Sequence, residues 1–182
     1  CQGYDAMPFP GEKMKILISK AANEYDFRVL HDDIDFFHGG ASEDFNGDGL
    51  PDLLVGTMHS PKLYLNTGDG NFKYEKTFGQ IKRAFSIELV DVNADGKFDI
   101  VSGAHEWETP TTILLNKGNN DFGYFGGITI PPVSAAGNVL DFILSKNDGC
   151  LYIVRTGGEK NNRAIWYKSV VRQKLCSKKS EV

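Results

Sequence analysis

One nine-residue pattern, D-x-N-x-D-G-x-x-D, occurs twice in this chain, and each copy runs straight into a short aliphatic stretch. The first is Asp44-Phe45-Asn46-Gly47-Asp48-Gly49-Leu50-Pro51-Asp52, followed by Leu53-Leu54-Val55-Gly56. The second is Asp91-Val92-Asn93-Ala94-Asp95-Gly96-Lys97-Phe98-Asp99, followed by Ile100-Val101-Ser102-Gly103. Each copy sets oxygen side chains at positions 1, 3 and 5 and a glycine at position 6, where the chain turns sharply. The carbonyl of position 7 and the Asp of position 9 complete the set. A hard cation favours such donors, and Ca²⁺ tolerates their irregular geometry better than Mg²⁺. An EF-hand needs an acid at position 12 and helices on both sides. Here position 12 is Val55 or Ser102, and the aliphatic run around it reads as a buried strand. A plain Asn-Gly hairpin turn would account for one copy; two copies with the same donors and the same strand favour a cation loop.

The loops lie 47 residues apart, a spacing that points to an internal repeat. A second pair of segments agrees. Leu65-Asn66-Thr67-Gly68-Asp69-Gly70-Asn71-Phe72 returns 50 residues later as Leu115-Asn116-Lys117-Gly118-Asn119-Asn120-Asp121-Phe122. Each is a strand end, an Asn/Gly hairpin and an aromatic that opens the next strand. The extra residues fall in His105–Pro110. One repeat therefore predicts four strands, near Gly40–Asp44, Asp52–Gly56, Lys62–Asn66 and Phe72–Phe78, with the second copy over Phe85–Ile130. Lys15–Ser19 and Tyr25–Val29 match the third and fourth strands of a preceding unit. Val139–Ser145, Leu151–Arg155 and Ala164–Val171 read as three strands of a following one. Its loop keeps Asp148-Gly149 but has Leu144, Lys146 and Tyr152 at positions 1, 3 and 9, so no cation is expected there.

The expected fold is all-β: a β-propeller-type array of four-stranded antiparallel blades, about three and a half in this chain. Its divisions are an outer half-blade at 12–35, blades with a cation loop at 36–80 and 81–131, a degenerate blade at 132–176 and a tail at 177–182, all within one domain or fragment. The two loops, the Leu63-Tyr64-Leu65-Asn66-Thr67-Gly68-Asp69-Gly70-Asn71-Phe72 segment and Phe37-His38-Gly39-Gly40-Ala41 resemble FG-GAP/VCBS repeats, the blades of integrin α-chain propellers and of many secreted bacterial proteins and fungal lectins. The resemblance spans about residues 12–175. It implies two structural Ca²⁺ ions: one held by Asp44, Asn46, Asp48, Asp52 and the carbonyl of Leu50, the other by Asp91, Asn93, Asp95, Asp99 and the carbonyl of Lys97. A closed propeller takes about 4–8 blades. The chain is therefore expected to belong to a longer propeller, to close by self-association, or to pair its half-blades in a small or open arrangement.

In such blades the cation loops share one face, and the loops from strand two to strand three lie on the other. His31, His38, His59 and His105 map to that second face, with Glu106, Trp107, Glu108 and Arg155. Of these, His38, His59, His105, Glu106, Trp107 and Arg155 form a candidate ligand face, suited to a carbohydrate or a protein partner. The bland alternative is that polar residues collect in loops. A zinc site from the four histidines is a further option on that face. Trp166, inside an apolar strand, reads as packing between blades. An enzyme acting on polysaccharide, or its accessory domain, is the rival reading, built on Glu106 and Glu108 with His105. Alternate residues of an extended segment point oppositely, which is a poor start for paired carboxylates, and neither G-x-S-x-G nor H-E-x-x-H occurs. A structural subunit of a surface assembly is the third.

The net charge of −4 gives nucleic-acid binding no electrostatic support. No apolar run approaches the ~20 residues of a membrane span. Calcium sites of low affinity fill where calcium is about millimolar, so a secreted or cell-surface location is expected. Cys1 reads either as the lipid-anchored first residue of a mature lipoprotein or as a fragment boundary; the first reading leaves Cys150 and Cys176 as candidates for a disulfide.

Overall fold

The computed structural model describes residues 11–105, 109–119, 121–124, 138–156 and 164–169. All regular structure among them is β, and the chain divides into two compact units, Cys1–Ala84 and Phe85–Val182.

The first unit opens with a hairpin, β1 (Glu12–Ala21) and β2 (Glu24–Asp35), which forms a sheet of its own. A four-stranded antiparallel meander comes next: β3 (Phe37–Glu43), β4 (Asp52–Thr57), β5 (Lys62–Gly68) and β6 (Asn71–Thr77), hydrogen-bonded in chain order. This is one blade. β4 carries the aliphatic run Leu53-Leu54-Val55, with Leu54 fully buried, as a strand covered on both faces should be. The hairpin lies against the blade. Met14 and Leu30 join Phe37, Val55, Tyr64 and Phe72 in one apolar cluster. Arg28 staples the two sheets: its Nη1 donates to the carbonyls of Asp69 and Gly70 and to Asn71 Oδ1, while its Nε holds Asp26. Lys62 adds an ion pair to Asp33 at 3.2 Å.

The second unit holds another complete meander, β7 (Ser86–Val90), β8 (Asp99–Gly103), β9 (Thr112–Asn116) and β10 (Phe122–Tyr124), and a sheet of β11 (Val139–Leu144), β12 (Leu151–Thr156) and β13 (Ala164–Ser169). Val92, Val101 and Ile113 of the meander pack with Val139, Phe142, Leu151 and Ile153 of that sheet. Every residue of β8 is buried.

Two histidines depart from the expected layout. His31 lies inside β2, opposite Met14, and His38 inside β3, rather than in a loop ahead of the blade. β2 runs on because Ile34 and Asp35 still find partners in Lys13 and Glu12; register shifts at Lys13/Met14 and Phe37/Gly40 absorb the extra length. Ser145 falls just outside β11, and Val170 and Val171 lie outside the described residues. No described helix is long and apolar enough to cross a membrane.

Candidate metal centre

Loop 44–52 joins β3 to β4, and loop 91–99 joins β7 to β8. Both are built from the same hydrogen bonds. Asp44 Oδ1 accepts from the Asp48 amide and Oδ2 from the Gly49 amide, at 3.1 and 2.8 Å. Asp91 repeats this with Asp95 and Gly96, at 3.1 Å each. Asn46 Oδ1 accepts from the Asp48 amide and Asn93 Oδ1 from the Asp95 amide. The fifth-position aspartates accept from the amides of Leu50 and Lys97. Gly49 and Gly96 turn the chain at φ 87° and 83°, where a side chain would strain the backbone. Short acceptors facing their own backbone amides are what lock these loops without a helix or a sheet ladder.

The ninth-position aspartates do something else. Asp52 and Asp99 are fully buried. Asp52 Oδ2 accepts the Phe45 amide at 2.9 Å, and Oδ1 accepts the Asn66 amide at 2.8 Å. Asp99 takes the amides of Val92 and Asn116 at 2.9 and 2.8 Å. One carboxylate thus ties the head of the loop to the third strand of its blade. Asn66 and Asn116 were visible in the sequence only as hairpin residues. Their second task is to seal that hairpin: each side-chain oxygen accepts the amide two residues on, from Gly68 and Gly118. The recurrence of Leu-Asn-x-Gly was the available signal.

Burial pushes the Asp52 carboxyl above the usual range; the amides of Asn66, Phe45 and Asn46 pull it down and the charge of Asp48 pushes it up again. Asp99 is raised the same way, by burial first and by Asp95 and Asp91 as well. Burial also pushes Asp95 up, but hydrogen bonds from the Lys97 amide and ammonium and from Asn93 outweigh it, so its carboxyl sits below the usual range. Lys97 Nζ lies 3.2 Å from Asp95 Oδ2. Among the described residues no Lys or Arg pairs with Asp44, Asp48 or Asp52, so the first loop concentrates negative charge without a counter-charge.

Among the described residues no three His, Cys, Asp or Glu side chains converge into a metal cluster, and that includes the four histidines. Each loop offers three aspartates, an asparagine and a main-chain carbonyl, and its three carboxylates are not drawn together into such a cluster. An ionised carboxylate has about four acceptor sites, so Asp52, with two amides, keeps capacity for a cation. The donor set is all oxygen and anionic, which suits calcium; the first loop has no described Lys or Arg against it, while Lys97 partly neutralises the second.

The third turn is closed differently. Asp148 Oδ2 accepts the hydroxyl of Tyr152 at 2.7 Å, and Oδ1 accepts the Cys150 amide. Cys150 is disulfide-bonded; its partner lies outside the described residues.

Residues 44–102 match the family model of the FG-GAP-like repeat. The matched stretch is 59 of the chain's 182 residues. The match starts at the first aspartate of one loop and ends three residues beyond the last aspartate of the other. No curated protein matches the sequence.

At the blade ends remote from loops 44–52 and 91–99, the candidate ligand residues have these places. His38 meets Phe36 at a tilt of 53°, with 5.2 Å between ring centroids. His59 sits in the turn after β4, whose Thr57 hydroxyl accepts its amide. His105 meets Phe85 edge-on at 4.8 Å and bridges to Asn138. Arg155 is placed by its backbone, paired with Val139 and Ile165, and Trp166 likewise stands on β13 opposite Val154. Cys1, Glu106, Trp107, Glu108 and Cys176 lie outside the described residues, as do the side chains of Arg155 and Trp166.

Proposed function

We propose that this chain is an extracytoplasmic, calcium-stabilised β-propeller module that binds rather than catalyses. The observation that carries the reading is the pair of loops with one hydrogen-bond scaffold, each holding aspartate and asparagine oxygens around a turn and backed by a fully buried Asp52 or Asp99. Asp44, Asn46, Asp48, the carbonyl of Leu50 and Asp52 would hold one ion; Asp91, Asn93, Asp95, the carbonyl of Lys97 and Asp99 the other. Calcium there is structural: it offsets carboxylate repulsion and ties the first strand of a blade to the second. The disulfide at Cys150 supports an oxidising compartment, where calcium is also plentiful. The ligand, a carbohydrate or a protein partner, is taken at the blade ends remote from the loops: in the first unit that end carries His38 and His59, in the second His105 and Arg155, with Glu106 and Trp107 following His105 in sequence.

The test is calcium titration by calorimetry, followed by thermal unfolding with calcium and with chelator. Two sites are expected. Asp48→Asn and Asp95→Asn should each remove one and lower the melting temperature only when calcium is present. No calcium heat, together with melting indifferent to chelator, would overturn the reading.

A further inference from the structure

Asn46-Gly47 is the one Asn-Gly step in the chain, and both residues are exposed. The main-chain nitrogen that follows an asparagine can attack the side-chain amide and expel ammonia, and glycine leaves that nitrogen least hindered. Gly47 stands at φ 79°, with no atom within 4 Å of where a Cβ would be.

Three hydrogen bonds of loop 44–52 fall on the atoms that this reaction uses. Asp44 Oδ1 accepts the Gly47 amide at 2.8 Å, so a carboxylate already faces the proton that the attacking nitrogen must lose. That is within the reach of a general base. Asn46 Oδ1 accepts the Asp48 amide at 2.9 Å, so a main-chain donor faces the oxygen on which negative charge develops. The same bond folds the Asn46 side chain back over the Gly47 peptide. Asn46 Nδ2, the leaving group, donates to Asp48 Oδ2 at 2.8 Å. Loop 91–99 is an internal comparison. Asn93 makes the same two bonds to Asp95, at 3.0 and 3.2 Å, but the next residue is Ala94, whose methyl crowds the nitrogen.

We propose that Asn46 is a self-modifying site, converted within its own loop to aspartate and isoaspartate. The Gly47 nitrogen bonds to Asn46 Cγ as its proton passes to Asp44. The Cγ–Nδ2 bond breaks, Nδ2 takes up that proton and leaves as ammonia, and a five-membered imide remains. Water then opens the imide. Attack at Cγ gives aspartate; attack at the main-chain carbonyl gives isoaspartate, with the chain running through Cγ. Nothing is oxidised or reduced, and water is the co-reactant. Either product replaces the Asn46–Asp48 side-chain bond with two facing carboxylates, in a loop that no described Lys or Arg neutralises. Isoaspartate also lengthens the main chain by one carbon between Asp44 and Gly49, which are joined by a 2.8 Å bond. The first loop therefore changes with age while the second keeps its shape.

The experiment incubates the full chain at neutral pH in chelator, so that its outcome is independent of the calcium reading. Released ammonia is measured, and peptide mapping with electron-transfer fragmentation separates aspartate from isoaspartate. Asn46 should convert before Asn93, and at least as fast as in the same chain unfolded in guanidinium. Asp44→Asn should slow the conversion at least about tenfold, since a placed base contributes that much or more. Ala94→Gly should turn Asn93 into a second site; Ala94 stands at φ 58°, so glycine suits its backbone. Circular dichroism checks that each variant is folded. Slower conversion of Asn46 in the folded chain than in the unfolded one, Asp44→Asn converting as fast as the parent, or Asn93 unreactive in Ala94→Gly overturns the proposal.

Discussion

Asp99→Ala isolates what the buried carboxylate contributes without any ion. The substitution strands two amides, those of Val92 and Asn116, both in buried hydrogen bonds. A buried donor left unpaired costs about 1–3 kcal/mol, so the loss is about 2–6 kcal/mol. The desolvation that raises the Asp99 carboxyl is released on truncation, which favours the lower half of that range. Asp52→Ala is the twin in the first unit, with one difference: the Asn66 amide is only partly buried and water can replace its acceptor. Its loss should be smaller, nearer about 2–4 kcal/mol. The assay is urea unfolding at pH 7 in excess chelator. Far-UV circular dichroism follows both units, and tryptophan fluorescence reports the second, since both tryptophans of the chain fall beyond Phe85. Losses under about 1 kcal/mol for Asp99→Ala would refute the two-amide account. So would Asp48→Asn costing as much in chelator, because the bonds of Asp48 lie on the exposed loop.

Packing and charge give two further outcomes. A methyl added at Gly56 would collide with the carbonyl of Ala84, so Gly56→Ala should cost about 1–3 kcal/mol in thermal or urea unfolding; a neutral result would mean that the segment after Phe78 gives way freely. Burial and the charge of Asp141 raise the Glu88 carboxyl above its ordinary 4.5. A raised acid binds its proton more tightly folded than unfolded, so it weakens the fold fully above its folded pKa and not at all below about 4.5. Glu88→Gln should therefore be more stable than the parent at neutral pH, with the gap closing as the pH falls towards 4.5; a gap that widens on acidification would contradict this.

Strands and loops were legible because short aliphatic runs return at fixed offsets from the repeated D-x-N-x-D-G loops. Asp48 and Asp95 could be read as loop residues because their neighbours at fixed offsets are themselves polar. The second role of Asp52 and Asp99 was not legible, since Asn66 and Asn116 lie 14 and 17 residues away and no local spacing links them. His31 and His38 were misplaced for a related reason. Polar residues near a glycine pair look like a loop, and only the pairing of Ile34 and Asp35 with β1 reveals that the strand continues. The β1–β2 hairpin was half visible: its strands were, but which face of β1 meets Tyr64 depends on a bulge.

The carboxylate clamp also explains where this architecture can change. The second copy spans its clamp with three more residues than the first, yet the bonds to Asn66 and Asn116 have the same 2.8 Å length. The additional chain enters between β8 and β9, at the strand ends remote from the clamp. Length there is decoupled from the geometry that closes the blade. Natural variation, or a grafted peptide between β8 and β9, can therefore accumulate at that end while the other stays fixed, so the blade is a frame on which new recognition loops can be carried.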